Sequence, residues 1–347
     1  MLGLATLAAG CATVPTAPTT PAPFLRVASG PTERGDVLRS LSLDDALEKR
    51  ILALDPEHIT DRDVRSTLAA GPTPRIMLFH GGVFPVYLLM ESFASFLTGM
   101  GYPEERIRDA GDGALSRSPY ENSDRQAGMI VWYYEHEGVR PILVGHSQGG
   151  IQVVKILHEL AGSFGDLRPF NPLTGQFEER TTIVDPLSGR ERPLVGVSVA
   201  AASVVGTGGW ALALPIHWVV VSRVRAIPDT VDEFTGYRIG LDFFAWDGPG
   251  MEEVKSFHAS GKATVRNVTL PAIYSHVFVP GTAQLAEDAA TRDWINAYEP
   301  GKAAAALPEQ SAPNILWAAD VWHSIKREWA LEAQRFVRAR RATVVAN

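Results

Sequence analysis

A serine stands between two glycines, each two residues away, in Gly145-His146-Ser147-Gln148-Gly149. The stretch follows the apolar run Pro141-Ile142-Leu143-Val144 and opens a helix-like segment over residues 150–157. The Gly-x-Ser-x-Gly pattern alone says little in a chain with 31 glycines among 347 residues. Its setting says more, because a sharp strand-to-helix turn lifts a serine hydroxyl above the end of a sheet and strains its backbone. Side chains at 145 and 149 would collide where strand and helix converge, and the turn aims the backbone N–H of Gln148 at an incoming carbonyl. The chemistry this suits is nucleophilic attack by Ser147 on an acyl carbon.

A second glycine pair lies upstream, in Arg75-Ile76-Met77-Leu78-Phe79-His80-Gly81-Gly82, where a short apolar strand precedes a helical run from about Pro85 to Met100. A tetrahedral intermediate of acyl transfer carries a negative oxygen, which two fixed backbone N–H groups stabilise. Glycine keeps such an N–H unobstructed, so the expected donors are Gly82 and Gln148. His80 is read as a structural residue of the strand end.

Strand-His-Gly-Gly-helix followed by strand-Gly-His-Ser-Gln-Gly-Gly-helix resembles the α/β-hydrolase superfamily, its lipases and esterases in particular, over roughly residues 72–340. The resemblance implies a mostly parallel central sheet flanked by helices, with a cap insertion after the sixth strand. It implies a serine esterase or lipase working through a Ser-His-acid triad, with no cofactor. A thioesterase, amidase or acyltransferase would use the same triad, and an inactive hydrolase-fold binding lipoprotein is the alternative of another class.

In that family the chain order is nucleophile, acid, histidine, with the histidine after the last strand. Asn314-Ile315-Leu316-Trp317-Ala318 reads as the last strand and Ser324 to about Arg340 as the closing helix, with Ile325, Trp329, Ala333, Phe336 and Val337 on one face. His323 between them is therefore the expected base. The acid departs from the family pattern: after the strand candidate Val268–Ser275, the stretch His276-Val277-Phe278-Val279-Pro280 has histidine where aspartate is expected. Asp247, on a Gly/Pro loop after Phe243-Phe244-Ala245-Trp246, is the chosen acid, with Asp242 and Asp288 as alternatives and Asp229 and Asp320 further back.

The elements around these residues fit a parallel sheet with crossover helices. Ser123-Asp124-Arg125-Gln126 has capping-box spacing at the head of a helix that stops near Gly138. Turn residues at 171–175 and 185–189 mark a hairpin insertion near 168–193, the sheet resumes at Leu194–Val199, and an apolar cap is expected near 203–265, suited to a greasy substrate.

A net charge of −7 leaves no electrostatic footprint for nucleic acid. The histidines are scattered and there is one cysteine, so neither a metal set nor a disulfide is expected. Cys11 follows the small-residue segment Leu4–Gly10, and Ala8-Ala9-Gly10-Cys11 resembles a bacterial lipobox, whose cysteine is lipidated. Residues 1–10 then read as a signal-peptide remnant, 11–30 as a Thr/Pro-rich tether and 31–347 as the hydrolase domain. The expected place is the bacterial cell envelope, as an outer-membrane lipoprotein facing the periplasm or the surface, with a soluble secreted or periplasmic protein as the alternative.

Overall fold

Five parallel strands form the central sheet of the computed structural model, in sequence order across it: β1 (Ile76–Phe79), β2 (Ile142–His146), β3 (Val199–Val205), β4 (Val231–Ile239) and β5 (Thr264–Leu270). The structure describes residue 38 and residues 43–83, 85–248, 250–302 and 314–345. Cys11, the signal-like segment and the tether lie outside them. No helix among the described residues is long and apolar enough to cross a membrane.

Alternation along the strands decides which helices cover which face. Ile76 and Leu78 of β1, Ile142 and Val144 of β2, and Tyr237 and Ile239 of β4 share one apolar cluster with α3 (Val86–Gly99) and α8 (Ile315–Val345). Met77, Phe79, Leu143 and Phe234 face the other way, into a cluster with α4 (Ser123–Glu137) and α5 (Gln148–Leu160). β1, β2 and β3 are buried along their whole length, as a sheet covered on both faces requires. β5 pairs only with β4 and is mostly polar, the pattern of an edge strand.

Two sequence expectations are corrected here. Residues 314–318 are not a strand: α8 begins at Ile315 and runs 31 residues to Val345. Its fully buried Trp317 and Trp322 extend toward the N-terminus the apolar stripe expected only from residue 324 onward, where Trp329 and Phe336 are fully buried too. A buried Asp320 fastens this helix to the sheet, accepting from Tyr237 Oη at 2.5 Å and pairing with Arg266 of β5. The range 203–265 is likewise not one cap. After β3 the chain makes three short 3₁₀ turns between Gly209 and Arg223, then returns to the central sheet as β4.

Residues 168–193 form two hairpins, Phe170–Asn171 against Gln176–Phe177 and Thr182–Val184 against Glu191–Pro193. The sheet resumes at Val199 rather than Leu194. At the head of α4 there is no capping box: the N-cap is Asn122, and Ser123 Oγ donates to Glu159 Oε1 at 2.7 Å.

Candidate active site

All five strands point their C-terminal ends at one edge of the sheet, and the site is built there from the loops that leave them. Ser147 sits between the last residue of β2 and the first of α5, with φ 54° and ψ −119°. For a side-chain-bearing residue this left-handed φ is strained, and strain of that kind is held only by surrounding structure. Part of the holding is a backbone bond from Ser147 N–H to the Val205 carbonyl of β3, at 2.8 Å. The rest is close packing of strand and helix: a Cβ on Gly149 would lie 2.2 Å from the Phe79 carbonyl oxygen, and one on Gly145 would lie 2.7 Å from that of Gly149.

His276 is the histidine that meets this serine. Its Nε2 lies 2.8 Å from Ser147 Oγ, and its Nδ1 lies 2.7 Å from Oδ2 of Asp242. A carboxylate beside Nδ1 sets the tautomer, so Nδ1–H donates to Asp242 and Nε2 accepts from the serine hydroxyl. Asp242 is 2% exposed, and its Oδ1 accepts from the backbone N–H of Ala245 at 3.0 Å. Asp242 follows β4 and His276 follows β5 by a few residues each, so the serine, the aspartate and the histidine come in that order along the chain. Gly206, at the end of β3, has φ 63°, and a Cβ there would stand 2.9 Å from the His276 ring.

Two neighbours complete the setting of His276. Nε2–H of His146 donates to the His276 carbonyl at 2.6 Å. Burial, and next the proximity of His276, push the His146 imidazole down to about 3, so it is neutral at ordinary pH. Phe244 tilts against the His276 ring with centroids 5.2 Å apart.

Asp247 and His323, the residues expected as acid and base, are elsewhere employed. Asp247 is buried and paired with Arg238, Nε to Oδ2 and Nη2 to Oδ1, each at 3.1 Å. Its backbone exchanges both hydrogen bonds with Asp242, at 2.8 and 3.0 Å, closing the four-residue aromatic loop 243–246 between them. It thus braces Asp242 rather than touching a histidine. His323 lies within α8, lining a cavity of about 320 Å³ with Glu57, His58, Tyr298 and Lys326. No residue of the Ser147 cluster borders that cavity. Asp288 caps α7 (Ala289–Ala297), accepting from Thr291 N–H at 2.7 Å. Asp229 accepts from the N–H groups of Lys262 and Ala263.

Gly82 and Gln148 do come together. Gln148 is the first residue of α5, where backbone N–H groups have no partner within the helix. Gly82 lies against its side chain, since a Cβ on Gly82 would overlap Gln148 Oε1. His80 Nδ1–H donates to the Gly81 carbonyl at 2.7 Å. In a trans peptide the Gly82 N–H points the opposite way, away from His80. The Gly82 carbonyl is held in turn by Tyr120 Oη at 3.0 Å. Among the described residues no cluster of His, Cys, Asp and Glu could hold a metal ion.

No protein-family model matches this chain, and no curated protein matches it. Among solved structures it is similar to one described as RedJ with a PEG molecule bound in the active site, at 14% identity and a TM-score of 0.31, over 64% of this chain and 90% of that one. The chain is therefore placed by its own architecture, an α/β fold with a five-stranded parallel sheet flanked by helices.

Proposed function

We propose that this chain is a serine hydrolase of the α/β-hydrolase type that cleaves carboxylic esters, with Ser147 as nucleophile, His276 as general base and then acid, and Asp242 as the orienting carboxylate. The observation that carries the reading is the continuous chain Ser147 Oγ, His276 Nε2, His276 Nδ1, Asp242 Oδ2, with contacts of 2.8 and 2.7 Å, ending on a serine of positive φ. A serine hydroxyl is a weak nucleophile until an imidazole takes its proton, and buried Asp242 stabilises the imidazolium that results.

In the acylation step Ser147 Oγ attacks the ester carbonyl while its proton passes to His276 Nε2. The oxyanion forms opposite the N–H groups of Gln148 and Gly82, each worth roughly 3 kcal/mol of barrier in sites of this kind. Collapse breaks the bond to the alcohol, which leaves with the proton from Nε2. A water, deprotonated by the same nitrogen, then hydrolyses the acyl-serine. The reaction draws on no group beyond side chains, backbone and water. The loops around Ser147 are rich in apolar side chains, which favours an ester with a substantial apolar part.

A fluorophosphonate probe tests the reading, since only an activated serine reacts. We expect stoichiometric labelling of Ser147 and turnover of nitrophenyl esters, both abolished by Ser147→Ala. A folded wild-type protein that takes up no label would leave the fold as a binding module and overturn the proposal. The lipid anchor at Cys11 and a place in the bacterial envelope are part of the same proposal, supported by the Ala-Ala-Gly-Cys segment. Mass spectrometry of the mature N-terminus tests them.

A further inference from the structure

Behind the loop that carries Asp242 lies a small cavity, of about 10 Å³. Three cations, Arg225, Arg238 and Lys255, and one carboxylate, Asp247, line it, whereas Ser147, His276 and Asp242 do not border it. Arg238 has partners of opposite charge, Asp247 at 3.1 Å and, toward the surface, Glu252 at 3.1 Å. Among the described residues Arg225 and Lys255 form no ion pair with a carboxylate. Each donates instead to a backbone carbonyl, Arg225 Nη2 to Thr207 and Lys255 Nζ to Ala245, both at 2.7 Å.

The two unpaired head groups converge on one place. A Cβ on Gly208 would stand 2.8 Å from Arg225 Nη2 and 3.9 Å from the Ala245 oxygen that Lys255 holds. Burial pushes the Arg225 guanidinium down to about 10, and burial followed by repulsion from Arg225 lowers the Lys255 ammonium. Asp247 offsets part of this for both, but its carboxylate is already paired with Arg238. Positive charge withdrawn from water without an anion beside it is costly, and an anion in the cavity would relieve that cost. Size narrows the choice. The space admits about one water-sized group, so sulfate, phosphate and carboxylates are too large, and a water would fit but bring no charge. The Phe257 ring covers one face of the guanidinium at 4.4 Å, which leaves the N–H edge for the occupant.

We propose that this cavity is a chloride site, in which one halide ion accepts hydrogen bonds from the remaining N–H groups of Arg225 and Lys255. Its place in the fold gives it an effect. Lys255 closes the short helix Glu252–Lys255 and holds the carbonyl of Ala245, whose N–H donates to Asp242 Oδ1 at 3.0 Å. Arg225 holds the loop after β3 through Thr207. A bound ion therefore ties that loop, the loop of Asp242 and the short helix together, and stabilises the folded chain.

The test is thermal unfolding of the full chain, followed by tryptophan fluorescence, as sodium gluconate is exchanged for sodium chloride at constant ionic strength. Gluconate is too large for the cavity and serves as the empty reference. Tm is expected to rise with chloride and to follow a saturating curve, by about 2–4 °C at tenfold excess over Kd. Sodium bromide should act likewise. Arg225→Gln keeps a donor for the Thr207 carbonyl but loses the charge, and its chloride shift is expected to fall at least threefold. Lys255→Met, on a half-buried side chain of the short helix, should lose the shift to the same degree and carries the test if Arg225→Gln does not fold. A Tm that does not respond to chloride overturns the proposal and leaves the cavity to water. A shift that grows without saturating, or one that persists undiminished in folded Lys255→Met, also overturns it, since it would then come from salt acting on the whole surface. The readout is stability, so its failure is distinguishable from failure of fluorophosphonate labelling, which bears on the hydrolase reading alone.

Discussion

His146 Nε2 lies 2.6 Å from the carbonyl oxygen of His276, so the residue next to Ser147 in sequence holds the backbone of the histidine whose side chain meets that serine. Ser147 and His276 are 129 residues apart along the chain. This bond fixes the loop after β5 to the end of β2 and leaves the His276 side chain little choice but to lie between Ser147 and Asp242. Rigid placement of this sort is what a proton transfer over one hydrogen bond needs.

On the proposed mechanism, replacing His276 removes the base with no substitute at hand. His276→Ala is expected to lower kcat by ~10⁴ or more on a nitrophenyl ester. His323→Ala should stay within about threefold of wild type, because His323 borders a separate cavity on the flank of α8. The reverse pattern in steady-state kinetics would move the base to His323.

Asp242 and Asp247 are neighbours with different work, and kinetics separates them. Asp242→Asn keeps the size of the side chain but ends the carboxylate that fixes the His276 tautomer, so kcat should drop by ~10²–10⁴ with KM little changed. Asp247→Asn breaks the pair with Arg238 and should act on stability. Removing one partner of a buried ion pair costs about 3–5 kcal/mol in typical cases, so its urea midpoint should fall clearly while kcat of the folded enzyme falls much less. Equal losses of kcat in both variants would show that the loop, and not the carboxylate of Asp242, sets the rate.

The strand-to-helix turn at Ser147 was legible in the sequence because its demands are local. Gly145 and Gly149 are required by atoms within a few residues or on the adjoining strand, and apolar runs mark β1 and β2 as doubly covered strands. Which histidine and which carboxylate gather at Ser147 depends on counting strands, and there the sequence misleads. β5 is a polar edge strand, Thr264-Val265-Arg266-Asn267-Val268-Thr269-Leu270, whose pattern does not announce burial. Residues 314–318 are an apolar run of strand length that belongs to a helix, and periodicity over five residues does not separate the two. With residues 314–318 taken as the last strand in place of Thr264–Leu270, the order nucleophile, acid, histidine points to His323, whereas His276 is the histidine at Ser147. The signal that was present lay in the departure itself: His276 stood where an aspartate was expected, because the strand before it is the last and not the one before the last. Asp242, an alternative at first, follows β4 as that order requires.

Gly206 is an inconspicuous part of the site, with a sharp expectation attached. At φ 63°, with its missing Cβ directed at the His276 ring and 3.4 Å from Asp242 Oδ2, it leaves room for the dyad. Gly206→Ala is expected to displace the imidazole and cut kcat/KM by ~10², since shifts of about an ångström in a reacting group cost that much. Fluorophosphonate labelling should slow in parallel, while circular dichroism stays native. An active Gly206→Ala enzyme would mean that the loop after β3 moves freely and that His276 is not confined by it.

His146 gives the pH prediction. Its folded pKa, pushed down to about 3 by burial and by His276, lies below the unfolded value of about 6.5. Below about pH 6.5 the unfolded chain takes up a proton at this position that the folded chain refuses. Stability is thereby lost as pH falls from about 6.5 toward 3, at up to ~1.4 kcal/mol per unit, and above about 6.5 the residue contributes no pH dependence. His146→Gln keeps a donor for the His276 carbonyl and does not titrate. Comparing the two proteins by urea unfolding cancels the contributions of all other groups, including buried His217, which burial also lowers, to about 4. The stability of wild type relative to His146→Gln should fall by about 2 kcal/mol between pH 7 and pH 5. Parallel stability curves over that range would mean that His146 accepts a proton in the folded state, and a charged His146 beside the His276 loop would then have to appear as a lowered kcat at the same pH.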